Sequence, residues 1–375
     1  MSPAGGDLGA LVDQRSVVIC AGPGGVGKTT TAAALAYEAA RRGRRAVVVT
    51  IDPARRLADA LGLDALTNDP HQVPATWDGP GEMWALMLDV KTTFDSAVTR
   101  NAKSAAQAQA ILDNRLYRNI SGALSGTQEY MAVEKLYDLT LDPRFDLVVV
   151  DTPPTRHALD FLDAPARLLR FLNNRFFRVL MMPTRASLRA VNFATQTLLK
   201  TISRVVGGDV VRDAVAFFTA FEGMEQGFRD RAGKVEALLA APGTAFVVVS
   251  APRRDAVEES LFFARRLQES GQHVAALVVN RLFPNFGGVP AVTLSSKGET
   301  PADSDAARVL EELLVNARDL DAIARREEQY VGTLTRRVSG AVLARVPYLD
   351  DDVHDIDGLA RVASYLFPQP GASAG

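Results

Sequence analysis

Cysteine is nearly absent: one residue, Cys20, in 375. A single thiol excludes an internal disulfide and a Cys-x-x-Cys metal clip, and its place inside an apolar run reads as a buried structural thiol. Long hydrophobic runs are missing too. The longest are strand-sized, well short of the roughly 20 apolar residues that span a bilayer, so a soluble protein is expected. The opening MSPAGGDLGALVDQ carries two aspartates, no basic n-region and no long apolar centre, and does not read as a secretory leader. Net charge is slight, −2 at neutral pH, which argues against general nucleic-acid binding. It is also uneven, because Asp and Glu are entirely absent between Pro165 and Val206.

What is present is ordinary globular composition, 47 % hydrophobic and 23 % charged. The length exceeds the usual single-domain range of roughly 100 to 200 residues and suits one large α/β unit with an inserted helical part. The stretch VVICAGPGGVGKTTTAAA, Val17 to Ala34, organises the rest. Gly22, four residues, Gly27, Lys28 and Thr29 fit G-x-x-x-x-G-K-[ST], with the predicted strand before and helix after that the pattern requires. Gly22, Gly24, Gly25 and Gly27 let backbone N–H groups turn inward around phosphate oxygens. Val26 and Thr30 complete the cradle, and the helix beginning near Lys28 adds the positive end of its dipole. Lys28 is expected to meet the β- and γ-phosphates and the Thr29 hydroxyl a Mg²⁺ ion, so the expected cofactors are ATP and Mg²⁺.

Further along, Val47 to Val49 read as a second strand of a sheet covered on both faces, with Asp52 at its carboxyl end, where ligands of open α/β sheets bind. Asp52 either orients an attacking water, holds a group that itself ligates Mg²⁺, or caps the following turn. Residues 83 to 90 read as a third strand, and 104 to 140 as helical with an interruption near SGALSGTQEY. FDLVVVD then runs four apolar residues into Asp151, the arrangement in which a P-loop ATPase places its Mg²⁺-associated aspartate, there through water. Thr152, Pro153, Pro154, Thr155, Arg156 and His157 follow as the loop that senses the γ-phosphate. His157 itself reads as a structural loop histidine or a base.

From Pro165 to Val206 two apolar stripes recur at helical spacing, Leu168, Leu172, Phe176, Val179 and Leu180, then Leu188, Val191, Leu198, Ile202 and Val205. The same segment holds eight Lys and Arg residues with no acidic partner within it. It reads as basic amphipathic helices meeting an anionic membrane surface or an acidic partner, or as a solvated face over a core stripe. Strands over 244–252 and 273–284, an exposed loop over 285–305, a charged helix to about Arg337, a last strand and a closing helix complete an α/β fold with a doubly wound, mostly parallel sheet.

GPGGVGKTT, DPARRLADALG, DTPPTRHALDFLDAP, FVVVSAPRRDAVEESLFFARRL, VVNRLF and RVPYLDDDVHDIDGL occur in this order between about residues 17 and 360. Together they resemble the deviant-Walker P-loop ATPases that include the arsenite-pump ATPase subunit and the guided-entry factor for tail-anchored membrane proteins, and most of all the actinobacterial members. The resemblance implies that Asp52 positions the hydrolytic water. It also implies that Asp151 to His157 form the second switch loop, and that Asn280 and the loop after Pro347 contact adenine. Two departures stand out. The family's zinc-binding and metalloid-binding cysteines have no counterpart, so no zinc is expected. Pro23 occupies the place of the family's signature lysine, which reaches across a two-fold interface to the partner's phosphates.

On this reading the chain divides into an N-terminal arm (1–16), a first core part (17–164), a helical subdomain facing a client or membrane (165–240), a second core part with the adenine-contact loops (241–366) and a tail (367–375). The expectation is a cytoplasmic dimeric switch ATPase handling a hydrophobic client or an anionic membrane surface, with a peripheral membrane position as the alternative. Its partner would be a lysine-bearing paralogue. The alternative is a slow homodimer in which Arg55 or Arg156 substitutes for the lysine. A weakly or non-catalytic nucleotide-binding subunit that regulates a partner and a partition or site-determining ATPase remain as rivals.

Overall fold

Strands made only of apolar residues have no side to show to water, so they belong in a sheet covered twice. The computed structural model describes residues 8–52, 54–74, 77, 79–120, 127–173, 208–284 and 305–368. Its sheet has eight strands: β1 (Val17–Ala21), β2 (Arg45–Thr50), β3 (His71–Gln72), β4 (Glu82–Met87), β5 (Leu147–Asp151), β6 (Thr244–Ser250), β7 (Val274–Leu282) and β8 (Val342–Pro347). Their order is β3-β4-β2-β5-β1-β6-β7-β8, parallel throughout except for β3 against β4. The doubly wound, mostly parallel α/β fold read from the sequence is therefore present.

Alternation divides each apolar run between two cores. Ile19, Val49, Val150 and Val248 face one layer; Cys20, Val48, Val149 and Val247 face the other. On the second side lies α2 (Lys28–Arg41), whose alanines allow close approach to the sheet and are fully buried. α1 (Leu8–Gln14), α3 (Arg56–Ala60) and the closing helix α13 (Ile356–Leu366) cover it. Against the first side pack α4 (Val90–Asn101), α5 (Ala105–Leu112), α6 (Arg115–Ile120), α7 (Thr127–Leu141), α8 (Thr155–Asn173), α9 (Gly208–Phe221), α10 (Glu225–Ala240), α11 (Arg254–Glu269) and the long α12 (Asp305–Arg337).

Four expectations change. Residues 8–14 of the expected arm form a helix, because Leu8, Leu11 and Val12 share one buried face. The third strand stops at Met87, since the Asp89 side chain accepts the Thr92 N–H at 2.5 Å and caps α4. The helix expected from Pro165 begins ten residues earlier and continues through Pro165, which omits one intrahelical bond because proline has no N–H. Arg167, expected to lack an acidic partner, pairs with Asp160 on the preceding turns of α8. Leu172 of the first stripe is buried in the core, whereas 174–206 of the basic segment, the loop 285–304 and the tail from 369 lie outside the described residues.

Two devices hold α10 and α9 to the sheet-side helices. One is a buried ion cluster: Glu134 of α7 receives Arg100 of α4 at 2.8 Å and Arg231 of α10 at 2.5 Å, and Asp138 receives both arginines as well. Burial pushes the Glu134 carboxyl up, and Arg231 is the main charge pulling it back. The other is a run of rings, Phe94, Tyr117, Phe217, Phe221 and Phe228, with successive centroids 5.2 to 6.4 Å apart. Removing one member of a buried ion cluster strands the opposite charge. Arg231→Met is expected to lower unfolding free energy by about 3 kcal/mol in a urea titration. Arg100→Met should cost less, because its side chain is 38 % exposed against 14 % for Arg231.

Candidate nucleotide-binding site

The carboxyl ends of β1, β2, β5 and β7 lie along one edge of the sheet, and each carries, at its last residues or just beyond them, a residue singled out above: Gly22 after β1, Asp52 after β2, Asp151 at the end of β5 with Thr152 after it, and Asn280 near the end of β7. The loop from Gly22 to Gly27 leaves β1 and enters α2. Gly22 has φ +155°, and a Cβ there would lie 2.0 Å from the Val249 carbonyl oxygen, so only glycine lets the loop cross β6 this closely. Gly27 is the left-handed N-cap of α2 at φ +92°, where a Cβ would meet Asn280 Nδ2 at 2.2 Å.

Lys28 is buried, and its ammonium donates to the Pro23 carbonyl at 2.7 Å. Burial lowers its pKa; the Asp151 carboxylate is the main opposing influence. Asp151 is buried at the end of β5. Its Oδ2 accepts the Thr29 hydroxyl at 2.7 Å and the Thr50 hydroxyl at 2.9 Å, while Oδ1 is buried with no partner. Burial raises its carboxyl to about 6, against the hydroxyl bonds and Lys28. A carboxylate oxygen left unpaired beside a threonine hydroxyl is the hard oxygen chemistry that suits Mg²⁺ directly or through water, so Thr29 and Asp151 fit the ion. Thr30 follows in the first turn of α2.

Thr152 is pinned to β1, its N–H and hydroxyl both donating to the Cys20 carbonyl, at 3.2 and 2.8 Å. Cys20 itself is buried beneath, its thiol pKa pushed up by burial and then by Asp151, as an inert structural thiol requires. Pro153 and Pro154 follow as a short connection. Thr155, Arg156 and His157, expected in a loop, form instead the first turn of α8, where a preceding proline suits a helix start. The Thr155 hydroxyl is fully buried and unpartnered; the side chains of Arg156 and His157 lie outside the description.

Asp52 serves its own turn and also faces a cavity. Its Oδ1 accepts the Ala54 N–H at 3.0 Å and its Oδ2 lies 3.5 Å from Arg56. With Gln128, Glu129, Pro153 and Pro154 it lines a cavity of about 190 Å³. Arg55 sits exposed at the N-cap of α3. Asn280 donates to the Val26 carbonyl at 2.9 Å, which ties β7 to the phosphate loop. Pro347 ends the neighbouring edge strand β8, beside stacked Phe283 and Tyr348 with centroids 5.8 Å apart. A larger cavity of about 630 Å³, between Leu261 and Arg265 of α11 and Thr333 of α12, contains none of these residues.

Sequence reasoning missed three participants. Thr50 holds Asp151, but only the register Thr50↔Asp151 across β2 and β5 reveals it. Gln128 donates to the Ile51 carbonyl at 3.3 Å from the first turn of α7. Arg281 donates to the Gly25 carbonyl at 3.1 Å.

Because Asp151 has a folded pKa of about 6 against an ordinary 3.8, its ionised form costs stability above pH 6, and that cost fades as pH falls from 6 toward 3.8. Asp151→Asn is therefore expected to raise the unfolding free energy of the nucleotide-free protein at pH 8 by about 1 to 3 kcal/mol, and by clearly less at pH 5. Urea titrations at the two pH values check this.

The chain is similar to several proteins over large parts of its length. ATPase GET3 of Malassezia globosa is 27 % identical over 164 residues, 43 % of this chain and 46 % of its own length. ATPase GET3B of Arabidopsis thaliana is 27 % identical over 290 residues, 72 % of this chain and 65 % of its own length. The chain thus spans about half to two thirds of these two relatives. The protein SCO2128 of Streptomyces coelicolor is 28 % identical over 370 residues, 95 % of this chain and 84 % of its own. Residues 15–289 match the family model described as anion-transporting ATPase, most of the chain with the phosphate loop inside the match, and the chain belongs to that family.

Proposed function

We propose that this chain binds Mg·ATP on the loop from Gly22 to Thr30 and hydrolyses it as a switch. The observation that carries the reading is the Thr29 hydroxyl on Asp151 Oδ2 with Oδ1 left unpaired and buried. It places a threonine oxygen and a spare carboxylate oxygen together at the mouth of a phosphate loop. When bound, Mg²⁺ supplies charge neutralisation to the phosphates. Lys28 leaves or shares the Pro23 carbonyl to meet β- and γ-oxygens, and the loop N–H groups hold the remaining charge. Asp52, in the cavity with Pro153 and Pro154, orients the attacking water by accepting a hydrogen bond from it. Asn280 and the chain after Pro347 flank the adenine.

Family relatives named as ATPases support the class of reaction. The finer reading is a dimer in which residues 165–240 handle a hydrophobic client or an anionic membrane surface, at the cytoplasmic side. Pro23 favours a heterodimer: it offers no cation to a partner's site, and its carbonyl accepts from Lys28 in its own. A lysine-bearing paralogue would complete the site on this chain while its own site stayed slow. A chain that turns over slowly by itself is the second reading, resting on the same proline.

Three measurements test this. Lys28→Ala is expected to weaken Mg·ATP binding about 100-fold in calorimetry, since a buried charge-assisted contact to phosphate is lost; unchanged affinity would remove the phosphate-loop assignment. Asp52→Asn should keep ATP affinity within about threefold and slow single-turnover hydrolysis by about 100-fold or more. If turnover persists at the wild-type rate, Asp52 serves only its turn. Pro23→Lys, and separately co-expression with the paralogue, should each speed hydrolysis. Full-speed turnover by the unmodified chain alone, with no gain from either, would exclude the asymmetric pair.

A further inference from the structure

Arg281 is the one residue other than glycine with a positive φ among the described residues, at +63°. L side chains with a long stem rarely adopt that conformation, and where they do the cause is local and often functional. Here the cause is visible. The ladder between β7 and β8 is irregular between Val279 and Leu282, so Asn280 and Arg281 leave the regular strand path. A bulge of this kind re-aims side chains, commonly beside active sites. Asn280 turns to the Val26 carbonyl, its Oδ1 accepts the Arg281 N–H at 2.9 Å, and the Arg281 guanidinium reaches the Gly25 carbonyl at 3.1 Å. Arg281 is exposed, and no carboxylate among the described residues pairs with it. One N–H of its guanidinium is used on Gly25; the others form a planar fork open to solvent at the rim of the phosphate loop.

We propose that Arg281 is a nucleotide-binding residue of this site, its guanidinium moving from the Gly25 carbonyl onto the terminal phosphate oxygens of a nucleoside triphosphate. The inference rests on the nucleotide-binding function proposed above and adds the cation that the first half of the loop, with Pro23, Gly24 and Gly25, does not itself supply. A planar donor fork matches a phosphate edge better than a backbone carbonyl does, and the pairing gains charge. Gly25, at φ +73° with open space around its Cβ position, can follow the arginine when it shifts. The triphosphate is either the one held by the same loop or the one held by a second subunit facing it, and the chemistry of the contact is identical in both.

The test separates charge from backbone strain. Mg·ATP and Mg·ADP are titrated calorimetrically into the full chain and its Arg281→Ala, Arg281→Lys and Arg281→Gly variants, and each protein's melting temperature is measured. Arg281→Ala and Arg281→Gly are expected to raise the ATP Kd about tenfold, with ADP changed less than about threefold, and Arg281→Lys to fall between. Arg281→Gly should at the same time melt higher than Arg281→Ala, because glycine tolerates the positive φ. ATP affinity that is unchanged in both truncations, or that recovers in Arg281→Gly along with stability, would overturn the proposal and leave Arg281 as a strut of the loop. Mixing Arg281→Ala with Lys28→Ala distinguishes the two sources: restored tight binding places the arginine on a partner's nucleotide, and no restoration places it on its own. A wild-type chain that binds no ATP, or a Lys28→Ala variant that binds normally, would instead defeat the nucleotide-binding function and this inference with it.

Discussion

One buried carboxylate joins three elements that are far apart in sequence. Asp151 Oδ2 takes a hydroxyl from α2 and another from β2, at 2.7 and 2.9 Å, while its backbone closes β5 between β1 and β2. The arrangement exists because parallel register sets Thr50 and Cys20 opposite Asp151. A one-residue slip of β5 would send the carboxylate to the opposite face of the sheet and leave both hydroxyls without it. The two continuous cores prevent such a slip, since every inward residue of β5 would trade layers. The chemistry at the edge is thus fixed by apolar packing in the middle.

Electrostatics around this node run against stability. The Asp151 carboxyl is held up and the Lys28 ammonium held down, each chiefly by burial, so both are less comfortable as charges than they would be in water. Their mutual attraction recovers part of the loss. On the proposed reading the remainder is what a bound cation and a bound polyanion would relieve, in keeping with the general pattern in which perturbed groups collect where binding occurs. The ion cluster of Glu134, Asp138, Arg100 and Arg231 is different in kind. There each carboxylate already meets two guanidinium groups, and the cluster serves as a bolt between α4, α7 and α10.

How much of this was written in the sequence depends on the range of the contact. The phosphate loop, β1, β2, β5, β6, β7 and the place of Asp151 were legible because they are local: a continuous apolar run, a glycine pattern, an acid at the strand end. Asp52 was half legible, since one position both caps a turn and faces a cavity. Thr50 was not, because its partner is 101 residues away and is chosen by register. Arg281 was not, because a bulge in β7 leaves no compositional mark. The helix at 8–14 was overlooked for its brevity. Pro165 was read as a boundary, yet Phe161 and Leu172 bury on either side of it and hold α8 together against the missing bond.

That continuity of α8 has a mechanical meaning. A helix of 19 residues is about 28 Å long, and this one starts at Thr155, four residues after Asp151, and carries the first residues of the basic segment, Pro165 to Asn173. Its far end is gripped by α10, through Arg229 on the Leu172 carbonyl at 2.8 Å. A continuous rod transmits rotation along its length: a tilt of about 5° at its root would move its tip by about 2.5 Å over that length. Had the helix broken at Pro165, the same tilt would be absorbed at the joint and the far residues would stay still.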